Sequence, residues 1–118
     1  MRSIINSVIN SWAVTTEKVQ SAVQRIIQVS RPKKLILFGS YIRKTLNANS
    51  DLDVLVIVDD TVTDNRRESI RIRQSLKGIS MPMDILVIPE GRFKQLSDVP
   101  GLIYREALRT GQVVYEAA

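Results

Sequence analysis

The sequence predicts one α/β (α+β) domain built on a single central sheet flanked by helices. Three observations support this fold class. The chain has 118 residues, the length of one domain. Helical and strand patterns alternate along it, as they do around a central sheet. Hydrophobic residues make up 44% and charged residues 25%, which is typical of a globular domain and not of a disordered chain.

The N-terminal part of the chain predicts two helices. Apolar residues at helical spacing indicate an amphipathic helix over residues 1–14. This apolar stripe either forms an interface with a partner or packs on the domain's own core. A second helix is expected to begin at Thr15 or Thr16, which are good N-cap residues. The pair Arg31-Pro32 ends it, because the residue before proline is pushed out of the α region.

The rest of the chain predicts four strands and two further helices. Short apolar runs bounded by glycine or proline indicate buried strands, whereas seven charged side chains among few apolar ones indicate a surface helix. In chain order the expected elements are a strand over 34–38, a short helical turn after residue 39, a loop over 47–50, a strand over 51–58, a surface helix within 62–77 stopped by Gly78, a strand over 83–88, a core-facing helix over 102–108 capped by Gly111, and a strand over 112–115.

The missing residue types restrict the chemistry that the chain can perform. The chain has no cysteine and no histidine, which excludes disulfides, thiolate or imidazole metal ligands and serine–histidine triads. Any reaction must use carboxylates, hydroxyls, lysine, arginine, backbone amides and a bound metal.

Charge and hydropathy bear on partners and location. The net charge of +5 favours phosphate-bearing ligands or an acidic protein partner. The longest apolar run, residues 54–58, is far shorter than the ~20 residues that span a bilayer, so no membrane association is expected. The first residues lack the pattern of an export signal, and we expect a cytoplasmic location.

Three aspartates stand near the starts of two predicted strands. Asp51 and Asp53 are two residues apart, and since strand side chains alternate, both are expected on one face. Asp84 begins another apolar strand, so the three acids converge at one sheet edge if the two strands are neighbours. Such carboxylates raise one another's pKa unless a cation neutralises them. The alternative is that each acid caps a strand or turn in water.

Gly39-Ser40 directly follows the first strand. Glycine allows a phosphate to approach the backbone, and the following amides and the Ser40 hydroxyl can donate hydrogen bonds to phosphate oxygens. The same pair is also common in a turn that simply ends a strand.

Taken together, these segments resemble the polymerase-β-type nucleotidyltransferases. Gly39-Ser40-Tyr41-Ile42-Arg43, followed by Ser50-Asp51-Leu52-Asp53 and a hydrophobic strand, is similar to the family signature at the spacing of its small stand-alone branch, the minimal nucleotidyltransferases (MNT). Met83-Asp84-Ile85-Leu86-Val87 is similar to the segment with the family's third carboxylate, and the tail from residue 103 to 116 to the usual MNT ending. The resemblance covers about residues 15–116 and departs from the pattern at Lys44, where the family has glycine.

The resemblance implies a fold and a reaction. The expected fold is polymerase-β-like, a single mixed sheet flanked by helices, with the MNT domain over residues 15–118. The expected reaction is in-line attack of an acceptor hydroxyl on the α-phosphorus of a nucleoside triphosphate, which expels pyrophosphate. Positioning and charge neutralisation dominate such phosphoryl chemistry.

Site roles follow from the same resemblance. The catalytic and metal-binding group would hold two Mg²⁺ ions with hard oxygen ligands; it consists of Asp51, Asp53 and Asp84. Asp84 either completes the second metal site or takes the proton from the attacking hydroxyl. The nucleotide-binding group would hold the triphosphate, with ATP as the expected substrate; it consists of Gly39, Ser40, Arg43 and Ser50.

The resemblance also implies a partner. Many MNT proteins pair with a small helical HEPN protein as the antitoxin of a toxin–antitoxin system. The expected function is therefore transfer of AMP to a hydroxyl of a HEPN-like toxin. One alternative is a non-catalytic antitoxin that acts by binding alone, which Lys44 in place of glycine supports.

Self-association and nucleic-acid binding are two further interpretations that the sequence leaves open. In the first, the chain forms a homo-oligomer. The second, a nucleic-acid-binding domain, is less favoured, because its candidate arginines lie on an exposed helix without an aromatic stacking platform. These arginines are Arg66, Arg67, Arg71 and Arg73.

Overall fold

A computed structural model describes residues 13–43 and 51–118 of the chain. Within these two ranges five helices accompany four strands. In chain order they are α1 (Thr16–Ser30), β1 (Lys34–Phe38), α2 (Ser40–Arg43), β2 (Leu52–Val58), α3 (Asn65–Ser75), β3 (Met83–Pro89), α4 (Glu90–Leu96), α5 (Ile103–Thr110) and β4 (Gln112–Glu116). The predicted helix over 1–14 (apart from its last two residues), the loop over 47–50, and the residues Lys44 and Ser50 lie outside the described residues.

The four strands form one mixed sheet in the order β3-β2-β1-β4. Strand β1 is antiparallel to both β2 and β4, whereas β2 and β3 are parallel. The parallel pair needs a crossover connection, and α3 supplies it. This arrangement confirms the predicted fold class, a single mixed central sheet flanked by helices.

The two faces of the sheet bury two separate apolar clusters, because strand side chains alternate. In β2, Val54 and Val56 pack with α1 and α3 on one face. Leu55 and Ile57 pack on the opposite face with Phe93 of α4 and with α5. Helices therefore cover both faces, and the odd-numbered residues of β2 share a face with α4 and α5.

Helix α1 begins and ends at the residues that the sequence predicts. The side chain of Thr15 accepts a hydrogen bond from the backbone N–H of Lys18, 3.3 Å away, as an N-cap. The helix ends at Ser30, and Arg31 before the proline adopts the left-handed conformation with φ 46°. The backbone N–H of Arg31 donates to the carbonyl of Ile27, which closes the last turn.

Several elements differ from the sequence predictions: β3, β4 and α5 shift at their ends by one or two residues, and β2, α3 and α4 differ as follows. Strand β2 begins at Leu52, one residue after Asp51. Helix α3 ends at Ser75 rather than at Gly78, which instead takes a positive φ of 93° in the turn that follows. The sequence does not predict helix α4, because its N-cap position is occupied by Pro89, which has no capping side chain.

A distant residue supplies the missing cap of α4. The carboxylate of Asp60 accepts a hydrogen bond of 2.9 Å from the backbone N–H of Gly91. This bond satisfies one of the unpaired N–H groups in the first turn of the helix.

Among the described residues, no helix combines the length and the apolar character that crossing a membrane requires.

Candidate functional site

Asp53 and Asp84 stand side by side at one edge of the sheet. They are direct partners in the parallel register of β2 and β3. Because residues paired across parallel strands point to the same face, both carboxylates lie on the α4 and α5 side. The condition for convergence, that these two strands are neighbours, is therefore met.

Gly39 lies directly against Asp53. Phe38, the residue before it, is the register partner of Asp53 in β1. A Cβ atom added at Gly39 would overlap Oδ2 of Asp53 and lie 3.1 Å from its Cγ. The φ of Gly39 is +81°, a conformation that residues with side chains rarely adopt. Two independent constraints thus require glycine here, and together they bring the strand-ending turn onto the carboxylate.

The pKa of the Asp53 carboxyl is raised above its ordinary value of 3.8. Desolvation by burial is the largest cause, followed by repulsion from Asp84 and from Asp51. Arg43 acts in the opposite direction, and Glu106 adds to the increase. Negative charge therefore accumulates around Asp53 beyond what the nearby arginine neutralises.

Asp51 and Asp84 are more exposed than Asp53. Asp51 precedes β2, so strand alternation does not determine its side, and it lines a cavity of about 400 Å³ together with Arg73. Asp84 forms a loose ion pair with Arg73, whose Nη2 lies 3.9 Å from Oδ1. Within residues 13–43 and 51–118 no three acidic side chains are arranged as a metal-binding cluster.

The donor types nevertheless suit a divalent cation. Mg²⁺ prefers carboxylate oxygens, takes only one or two of them from the protein, and completes its shell with water and phosphate oxygens. Asp53 and Asp84 are adjacent carboxylates of this kind. Burial is the largest cause of the raised pKa of Asp53 and repulsion from Asp84 adds to it, and a cation would relieve that repulsion.

Three of the predicted nucleotide-binding residues, Gly39, Ser40 and Arg43, belong to this turn and the helix that follows it, and Ser50 lies outside the described residues. Ser40 begins α2, and the backbone N–H of Arg43 donates to the carbonyl of Gly39, 3.0 Å away. The Arg43 side chain reaches α5, where its Nη1 lies 2.9 Å from Oε1 of Glu106. The structure thus brings Gly39, Ser40 and Arg43 close to Asp53.

Two residues of this region are not predicted from the sequence to belong to the site. Glu106 pairs with Arg43, and Arg73 pairs with Asp84. The sequence signal for Glu106 is limited to its position in the tail segment that resembles the MNT ending. Arg73 enters the sequence interpretation solely as a nucleic-acid contact.

The arginines of α3 are partly engaged within the protein. Arg71 pairs with Glu68 at 3.4 Å and also donates to the carbonyl of Val29. Arg73 pairs with Asp84 and donates to the carbonyl of Ile85 at 3.5 Å. Side chains held in this way present less free charge to a nucleic acid, which weakens the interpretation of α3 as its binding surface.

Similarity to known proteins agrees with this geometry. A family model described as "Polymerase beta, Nucleotidyltransferase" matches residues 17–118. No curated protein matches the chain. Among solved structures, the chain is similar to one described as "Crystal structure of the toxin-antitoxin with AMP-PNP", with 20% identity and a TM-score of 0.59. The match covers 83% of this chain and 73% of that chain. At this identity the likeness confirms the fold.

Proposed function

The chain belongs to the polymerase β nucleotidyltransferase family, and on this premise we propose that it is a Mg²⁺-dependent enzyme that transfers AMP from ATP to a hydroxyl of a partner protein. The observation that carries this proposal is the register pairing of Asp53 with Asp84, with Gly39 packed against Asp53. It puts two carboxylates next to the turn after β1, whose backbone N–H groups could donate to a phosphate.

The acidic residues would hold the metal. Asp53 and Asp84 are the ligands that the register supports, and Asp51 is the third. Bound there, Mg²⁺ would neutralise the triphosphate and the charge that develops during transfer. The pKa of Asp53 is raised first by burial and then by repulsion from Asp84 and Asp51, and a bound cation would reduce this cost of the ionised form.

The turn after β1 would hold the triphosphate. Gly39 lets this turn lie directly against Asp53, and Ser40 would offer its hydroxyl and backbone N–H as donors to phosphate oxygens. Arg43 adds a positive charge beside the carboxylates, and we propose Ser50 as a further nucleotide contact. Asp84 is half-exposed, and in a solvent-accessible position it can accept the proton of the attacking hydroxyl.

We infer an antitoxin role from the family resemblance and from the likeness to a structure described as a toxin-antitoxin. The partner would be a small helical toxin of the HEPN type, and the acceptor hydroxyl would belong to it. The presence of AMP-PNP in that structure is consistent with an adenine nucleotide as the donor.

Calorimetry with AMP-PNP tests the enzyme proposal. The intact protein should bind AMP-PNP in the presence of Mg²⁺ and lose most of this affinity when Mg²⁺ is removed. The Asp53→Asn and Asp84→Asn variants should lose it as well, whereas Asp98→Asn, at an exposed aspartate after α4, serves as the matched control. Equal affinity in all variants would overturn the proposal.

We propose a second function as an alternative, because Lys44 replaces the glycine of the family motif. In this second function the chain neutralises its toxin by contact alone. Incubation of the toxin with ATP labelled at the α-phosphate separates the two functions. Label on the toxin supports transfer, whereas full neutralisation without label supports binding alone.

A further inference from the structure

We propose that the groove along α5 binds an acidic peptide segment of the partner protein and guides the acceptor hydroxyl to the carboxylate pair. This inference rests on the proposed transferase function and specifies the class of its acceptor. The groove is a cavity of about 510 Å³, and the residues that carry the argument are Leu102, Ile103, Arg105, Glu106 and Arg109.

The groove opens next to the candidate active site. Glu106 lines it and at the same time contacts Arg43 of α2 at 2.9 Å. Glu106 and Arg43 both act electrostatically on Asp53, so the end of the groove at Glu106 lies close enough for its charge to affect Asp53. A segment lying in the groove could therefore present a side chain to the position where transfer would take place.

The charge of the groove favours an anionic occupant. Arg105 and Arg109 are four residues apart, so they lie on one face of the helix. Neither forms an ion pair with any residue in the described part of the chain. Among the described residues that line the groove, Glu106 is the one acid, and it is already paired with Arg43. Two positive charges thus remain for a ligand.

The apolar part of the groove favours a peptide over a nucleic acid. Leu102 and Ile103 each keep 39% of their surface exposed at one end of it. Exposed leucine and isoleucine can bury the apolar side chains of a peptide. No aromatic ring of the described residues lines this cavity, so bases of a single strand would have no stacking platform.

Binding of labelled peptides to the full chain tests this inference. The probes are a peptide of about ten residues, enough to span the helix, with glutamates and leucine around a central tyrosine, and the same peptide with lysines in place of glutamates. A third probe is a single-stranded RNA of matched charge. Fluorescence anisotropy, measured at low salt with AMP-PNP and Mg²⁺ present, should show the tightest binding for the acidic peptide.

Charge-reversal variants test whether the acidic peptide binds in the groove along α5. The Arg105→Glu/Arg109→Glu variant should bind the acidic peptide at least ~10-fold more weakly, because two attractions become repulsions. The matched control Arg66→Glu/Arg67→Glu makes the same charge change on α3, and its affinity should stay within about twofold. The milder Arg105→Gln/Arg109→Gln variant replaces the first if that one does not fold.

The outcomes separate this inference from the enzyme proposal. Unchanged AMP-PNP affinity together with lost peptide binding in the α5 variant supports the groove. Equal losses of peptide affinity in the α3 and α5 variants overturn the groove inference. Tighter binding of the lysine peptide or of the RNA overturns it as well. In each of these cases AMP-PNP binding to the intact protein is unaffected. Failure of the intact protein to bind AMP-PNP overturns the enzyme proposal, whereas the peptide comparison still decides the groove.

Discussion

Nη1 of Arg43 lies 2.9 Å from Oε1 of Glu106, a residue 63 positions further along the chain. This pair connects α2, the helix that follows the Gly39 turn, to α5. The Arg43 guanidinium is thus paired with the carboxylate of Glu106 and not with that of Asp53. The pair therefore joins the proposed nucleotide turn to the proposed acceptor groove.

We expect the Arg43–Glu106 pair to contribute little to stability. The two side chains are 49% and 48% exposed, and solvent-exposed ion pairs are worth less than about 1 kcal/mol. A double-mutant cycle of Arg43→Ala and Glu106→Ala, measured by urea unfolding, should give a coupling energy below this value. A coupling of several kcal/mol would show that the pair is a structural element of the fold.

Asp53→Asn should stabilise the protein while it weakens nucleotide binding. The folded state raises the pKa of Asp53, so it holds that proton more tightly than the unfolded chain does. The ionised carboxylate therefore costs stability, and this cost appears as pH rises from 3.8 through the raised pKa. Asparagine removes the cost, so the variant should gain free energy of unfolding at pH 7 and gain none in acid.

The measurement is urea unfolding of both proteins at several pH values, together with AMP-PNP calorimetry. We expect the AMP-PNP affinity with Mg²⁺ to fall at least ~10-fold, equivalent to about 1.4 kcal/mol. Asp98→Asn should change neither quantity. A destabilised Asp53→Asn variant at pH 7 would contradict the burial and repulsion described for this carboxylate.

Gly39→Ala should destabilise the protein more than Gly78→Ala. Both glycines have positive φ, +81° and +93°, so alanine at either position costs about 1–2 kcal/mol of backbone strain. At Gly78 no atom of the described residues lies within 4 Å of an added Cβ, whereas at Gly39 the Asp53 carboxylate occupies its place. The overlap should add about 1–3 kcal/mol to the cost at Gly39.

Urea unfolding of the two alanine variants measures the difference directly, because the shared strain cancels between them. Gly39→Ala should also weaken AMP-PNP binding, while Gly78→Ala should not. Equal destabilisation of the two variants would mean that Asp53 moves aside without cost.

Asp60→Ala should lower the free energy of unfolding by about 1 kcal/mol, the usual effect of removing a helix cap. The physical reason is the loss of the bond from the Gly91 N–H, which leaves an additional unpaired donor in the first turn of α4. Urea unfolding checks the value against Asp98→Ala, for which no loss is expected. Hydrogen exchange at Gly91 should accelerate in Asp60→Ala alone.

The strands and the two long helices could be predicted because their signals are local. The valine-rich run of β2 and the proline after Arg31 determine their elements without help from distant residues. Helix α4 could not be predicted, since its cap comes from Asp60, 31 residues before Gly91. The signal for this helix lies in tertiary structure.

The candidate site could likewise be predicted from the sequence only in part. The sequence alone indicates Asp53 and Asp84 as site candidates, because an acid near the start of a strand rich in valine and isoleucine is unusual. Spacing could not show that Asp53 occupies the space beside Gly39, nor that Glu106 holds Arg43. Both relationships join residues on different elements, and only the register and the helix packing determine them.

The alternation of β2 has a consequence for how this protein can change. Leu52, Val54, Val56 and Val58 pack toward α1 and α3, whereas Asp53 and Leu55 face the other way. Substitutions at the even positions should change thermal stability while leaving the proposed site intact, and substitutions at the odd positions should affect both. A mutant library restricted to the even positions would therefore vary stability while leaving the face that carries Asp53 unchanged.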